Sequence, residues 1–87
     1  MMDFKERELS HKLFDTLKQQ FQELELIEIV ESPVYRDSIW VRLIMPADED
    51  REIEIRKMAS ELSTDILLEY GYDIGITSAN RSEKIAA

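Results

Sequence analysis

The chain has 87 residues, room for one domain, with 44% hydrophobic and 34% charged residues and only two glycines and two prolines, the balance of a folded globular chain. Nineteen acidic against eleven basic residues give a net charge of -8, which repels phosphate backbones and anionic headgroups and argues against general nucleic-acid binding. The absence of cysteine excludes disulfides, thiol nucleophiles, zinc-cysteine sites and iron-sulfur ligation.

The opening MMDFKERELSHK has no apolar signal core, and no apolar run reaches the length that spans a bilayer, so a cytoplasmic protein without membrane contact is the expectation. Asp3 followed by Glu6 is a capping box that starts a first helix. On a helical wheel Leu9, Leu13, Phe14, Leu17, Phe21 and Leu24 form one apolar stripe, so this helix is predicted to run to about residue 23 with one face on a core.

The segment LELIEIVE, Leu24 to Glu31, contains the β-branched pair Ile29-Val30 and stops at Ser32-Pro33, which defines a first strand. From Ser38 to Met45, alternation puts Ile39, Val41, Leu43 and Met45 on one face and Trp40, Arg42 and Ile44 on the other. This second strand is expected to pair with the first as a hairpin across Ser32 to Asp37.

Pro46 ends that strand, and the acidic Asp48, Glu49 and Asp50 favour a helix N-terminus. The second helix carries Ile55, Met58, Ala59, Leu62, Ile66 and Tyr70 in its main stripe, with Ile53 and Leu67 widening the apolar arc, and Gly71 suits its C-terminal cap. This helix is therefore predicted to be the more buried of the two. Tyr72 to Ser78 reads as a third strand with Tyr72, Ile74 and Ile76 inward and Gly75 opposite them, where close approach is possible. The expected fold is an α+β two-layer domain over residues 1–80, in the order α-β-β-α-β, with two helices on one face of a three-stranded sheet and a loose tail over residues 81–87.

Sites of chemistry are sparse. His11, the only histidine, lies opposite the apolar stripe with no nucleophile or second ligand beside it, and is assigned to the surface. The run Asp48, Glu49, Asp50 and Glu52 lacks the glycine and ligand spacing of a calcium loop, and reads as helix capping and solvation. Gly71 and Gly75 do not make a phosphate-cradling loop, and no carboxylate pair converges by sequence. No metal or cofactor is expected.

Tyr35, Arg36, Trp40 and Arg42 form an aromatic and basic group suited to single-stranded RNA, and the element order also resembles a pared-down KH domain. The Gly-x-x-Gly loop that carries RNA contact in KH domains is absent, and the net charge opposes it. A second resemblance covers Leu26 to Ser78. Ile29-Val30-Glu31-Ser32, Asp37-Ser38-Ile39-Trp40-Val41-Arg42-Leu43-Ile44 and Leu68-Glu69-Tyr70-Gly71-Tyr72-Asp73 resemble in layout the strand ending in Gly-Ser, the Ser-Asp-x-Asp strand and the last carboxylate strand of minimal nucleotidyltransferase domains. Glu31 stands for the glycine, and Ser38 and Trp40 for the two metal-binding aspartates, leaving Ser32 and Asp73 as the matching positions. Two-metal phosphoryl transfer needs clustered carboxylates. The resemblance therefore implies a degenerate, non-catalytic member, in which Ser32 and Asp73 are the residues left for nucleotide. The leading expectation is a non-enzymatic interaction domain that meets a protein partner or its own copy through Trp40, Arg42 and Ile44, with Tyr35 and Arg36 nearby, or through a free strand edge.

Overall fold

The computed structural model describes residues 2–80, and the loose tail expected over 81–87 lies outside them. Helix α1, Phe4–Gln20, opens on the capping box: the Asp3 carboxylate accepts from the Glu6 amide at 2.7 Å, and the Asp3 amide donates to Glu6 Oε1 at 3.1 Å. It ends three residues earlier than its apolar stripe suggested. Lys18 Nζ donates to the carbonyls of Gln22 and Leu24, at 2.7 and 2.6 Å, fixing a turn that drives Phe21 and Leu24 into the core.

Strands β1, Glu25–Glu31, and β2, Ser38–Ile44, pair antiparallel, and β3, Asp73–Ser78, pairs parallel with β2, in the sheet order β1-β2-β3. The hairpin turn is set by Ser32, whose hydroxyl accepts from the amides of Val34 and Tyr35, and by Asp37, which adopts a left-handed φ of 64°. A bulge between Leu26 and Glu28 leaves Ile27 as an extra residue in β1.

Helix α2, Glu49–Tyr70, starts on Asp48, whose carboxylate accepts from the Asp50 amide at 3.0 Å. It ends on Gly71, whose φ of 79° is the left-handed cap conformation and whose amide donates to the Leu67 carbonyl. The order α-β-β-α-β and the mixed sheet make this an α+β fold.

The core joins Leu9, Leu13 and Leu17 of α1, Phe21 and Leu24 of the turn that follows it, Ile39, Val41 and Leu43 of β2, Ile55 and Ala59 of α2, and Ile74 of β3. Burying each of the large aliphatics stabilises the fold by about 1.5–3 kcal/mol. All the β2 members are odd-numbered, so both helices cover one face: α1 lies over β1 and β2, and α2 over β3.

Contrary to its sequence pattern, α2 is the less buried helix, with only Ile55 and Ala59 fully enclosed against Leu9, Ser10, Leu13 and Leu17 of α1. Ile53, Leu67 and Tyr70, assigned to its buried arc, are exposed. Geometry explains the difference. Three strands about 4.8 Å apart give a sheet roughly 15 Å wide, whereas two helices side by side need about 20 Å. Two helices cannot both be seated fully on so narrow a sheet, and α2, which packs mainly on β3 and α1, keeps the larger exposed surface.

Candidate functional site

The even-numbered residues of β2 face away from both helices. Register places Val30 and Gly75 on either side of Trp40, and Glu28 and Thr77 on either side of Arg42. The uncovered face is therefore a belt of Val30, Trp40 and Ile44, all half-buried, crossed by Glu28, Arg42 and Thr77. A side chain at Gly75 would meet nothing within 4 Å, so the sheet surface is open on the β3 side of Trp40.

Arg42 Nη1 donates to Glu28 Oε2 at 2.7 Å across the strand pair, which matches the guanidinium to a carboxylate on the same face. This opposes use of Arg42 as a phosphate contact. The Thr77 hydroxyl oxygen is buried without a hydrogen-bond partner. First-strand residues are expected on this face from the sequence, but Val30, Glu28 and Thr77 in particular are brought to it only by the hairpin register and the parallel pairing.

The structure does not unite the hairpin group. Tyr35 is exposed in the turn. Arg36 lines an open hollow of about 400 Å³ with Glu6, Glu31, Ser32, Asp37 and Ile39, on the helix side of the sheet, whereas Trp40, Arg42 and Ile44 lie on the other side. Three carboxylates share that hollow with the guanidinium, an acidic setting.

Ser32 and Asp73 do share one end of the sheet, joined through Ser38. The Ser32 amide donates to the Ser38 carbonyl at 2.8 Å, and the Ser38 hydroxyl donates to Asp73 Oδ2 at 2.5 Å. Both candidate nucleotide ligands thus make internal bonds: the Ser32 hydroxyl holds the turn, and Asp73 ties β3 to β2. Among the described residues no group of three or more His, Cys, Asp or Glu side chains is placed to hold a metal ion. His11 is exposed, and Asp48, Glu49, Asp50 and Glu52 stand in the cap and first turn of α2.

Two contacts tie the helices together at opposite ends, and neither is visible in the sequence. Arg51 of α2 stacks over the Phe21 ring at 4.6 Å and donates to Glu23 Oε2 at 2.7 Å. That hydrogen bond holds the Glu23 carboxyl below its ordinary value and raises the Arg51 guanidinium above its own. At the other end Lys5 Nζ sits 5.0 Å from the Tyr70 ring centre and bonds Glu8, which raises the Lys5 ammonium above its ordinary value. Between these clasps the helices leave a groove of about 140 Å³ along Leu13, Leu62 and Ile66, well below the 300–1,000 Å³ typical of small-molecule sites.

Fold and face together define an α+β domain in which, among the described residues, one sheet surface is free of helices. No family model, curated protein or solved structure matches the chain. No described helix is long and apolar enough to cross a membrane.

Proposed function

We propose that this chain is a non-enzymatic protein-interaction domain whose uncovered sheet face, centred on Trp40, takes a protein partner. The observation that carries the reading is the one-sided helix layer, which leaves Val30, Trp40 and Ile44 on a surface with an aromatic anchor, aliphatic neighbours and a matched ion pair. Such composition is that of an interface centre, where tryptophan and arginine carry most of the binding energy.

The test is capture of partners from the source cells by the parent chain and by Trp40→Glu in parallel. The variant is expected to keep the parent's far-UV circular dichroism and to bind the captured partner about 30-fold more weakly, the effect of losing an anchor worth about 2 kcal/mol. A variant that unfolds would assign Trp40 to the structural core, and a variant that binds as the parent does would exclude this face. Magnesium-dependent nucleotide binding lost on Asp73→Asn would instead favour the nucleotidyltransferase-like reading; no binding at millimolar nucleotide would remove it.

A further inference from the structure

Among the described residues both edges of the sheet are free, and their difference identifies a second surface that does not depend on the Trp40 face. The β1 edge carries Glu25, Glu28 and Glu31 and is kinked by the bulge at Ile27. Charges and bulges are the usual devices that stop an edge from pairing with another strand. The β3 edge, Asp-Ile-Gly-Ile-Thr-Ser, has neither: its one charged residue, Asp73, is bonded to Ser38, and its register with β2 is unbroken.

The bonding phase of β3 fixes which groups face outward. The Ala79 amide donates to the Leu43 carbonyl at 2.7 Å, so the odd-numbered residues of this parallel ladder turn their backbone groups to β2. Ile74, Ile76 and Ser78 consequently turn theirs to the free edge. A second β3 running antiparallel would pair Ile76 with Ile76 and Ile74 with Ser78, every pair in hydrogen-bonding phase, about a two-fold axis at Ile76.

Helix α2 repeats the same symmetry. Ile53, Arg56, Ser60, Ser63 and Leu67 fall within an arc of about 80° on the helical wheel. Arg56, Ser60 and Ser63 line an open hollow with Gly75 and Ile76, which places this stripe over the β3 edge. In a chain of charge -8 the arc between Ile53 and Leu67 contains no acid. Its ends are exposed apolar residues, Ile53 at 64% and Leu67 at 49%, and its centre is small. Ser60 is midway between them, and Ser60 lines the same hollow as Ile76. One two-fold axis therefore serves both elements: it pairs β3 with β3 at Ile76, brings α2 beside α2 at Ser60, and sets Ile53 of each copy against Leu67 of the other.

We propose that the occupant of this edge is a second copy of the chain, forming a dimer with a continuous six-stranded sheet. A stable interface needs about 800 Å² per partner, roughly one seventh of the 5876 Å² surface of this chain, so a six-residue strand edge requires the α2 stripe, with exposed Ile53 and Leu67 at its ends, as a second contact. Both Trp40 faces then lie on the same side of one extended sheet.

Sedimentation equilibrium of the full chain at concentrations up to about 1 mM tests the proposal. The parent is expected to dimerise, and Ile53→Lys and Leu67→Glu, each at an exposed site, to weaken dimerisation about tenfold or more while keeping the parent's circular dichroism. Mixing the two variants is expected to restore a heterodimer. The axis sets the introduced lysine of one variant against the introduced glutamate of the other, and leaves an unaltered contact of Leu67 with Ile53 on the opposite side. Ser60→Arg, which brings two cations together on the axis, is expected to abolish dimers. A parent that stays monomeric, a mixture that fails to associate, or a dimer lost only in Trp40→Glu would overturn the proposal, the last by moving self-association to the open face.

Discussion

The edges of this sheet are built from the same backbone yet invite opposite fates. On β1, three glutamates and a bulge place charge and a kink along the row of outward amides and carbonyls. On β3, the outward groups of Ile74, Ile76 and Ser78 stand beside an acid-free stripe of α2. An edge is a pairing site by default, and side chains decide whether it stays one. The sheet accordingly presents three surfaces of different character: a charged and bulged edge, an unbroken edge and a helix-free face.

The largest effect expected from disturbing this arrangement lies between the edges. Leu43 is fully buried on β2, the strand that holds both β1 and β3, and Leu43→Ala is expected to cost about 3 kcal/mol in chemical denaturation. For a domain of this size that is a large share of a total stability of about 5–10 kcal/mol. Loss of both edges together, seen as one cooperative transition, would show that neither behaves as an independent unit.

A more direct way to break the contrast is to remove the guard. Glu25→Val with Glu31→Val leaves the β1 backbone unchanged and strips charge from two positions of its edge. Higher oligomers or aggregates, absent from the parent, are expected by light scattering. A double variant that associates no further than the parent would mean that the bulge at Ile27 and the remaining Glu28 suffice to protect β1.

The smallest effect is expected at the clasp between the helices, an ion pair that belongs to neither edge. Because Arg51 depresses the Glu23 carboxyl, this pair contributes stability above the unfolded-state value of a glutamate and loses it as pH falls through the lower folded-state value. Both side chains are well exposed, so solvent screening keeps the contribution small. Thermal melts of the parent and Glu23→Gln are expected to differ slightly at neutral pH and to converge in acid, with no change in self-association.

Much of this fold is legible in the residues, for physical reasons that also mark where legibility ends. The alternation of Ile39, Val41 and Leu43 against Trp40, Arg42 and Ile44 is a local property, and it survives into the structure because β2 is central and one of its faces is covered. The capping box at Asp3 and Glu6 and the cap at Gly71 are local too, and both form. For α2 the wheel shows which residues are apolar but not what lies opposite them, so Ile53 and Leu67 read as core when the sheet is too narrow to reach them. The placement of Val30 and Thr77 beside the Trp40 face, and the Arg51 clasp on Phe21 and Glu23, depend on contacts between distant segments, which no local pattern encodes. A free strand edge is an expectation of the sequence, but which strand carries it is beyond reach for the same reason, since a strand is an edge only relative to the order of its neighbours.

The link between α2 and β3 has a consequence for how the molecule opens. Only Gly71 and Tyr72 separate the last helical residue from the first residue of the strand, and Gly71 is held by its bond to the Leu67 carbonyl. Such a tether gives β3 no slack to slide along β2 or to peel away alone. Strand and helix are therefore expected to open together rather than separately. Amide exchange along β3 should therefore keep the same time as the final turn of α2, and a ligand that pins the strand would slow the fraying of the helix.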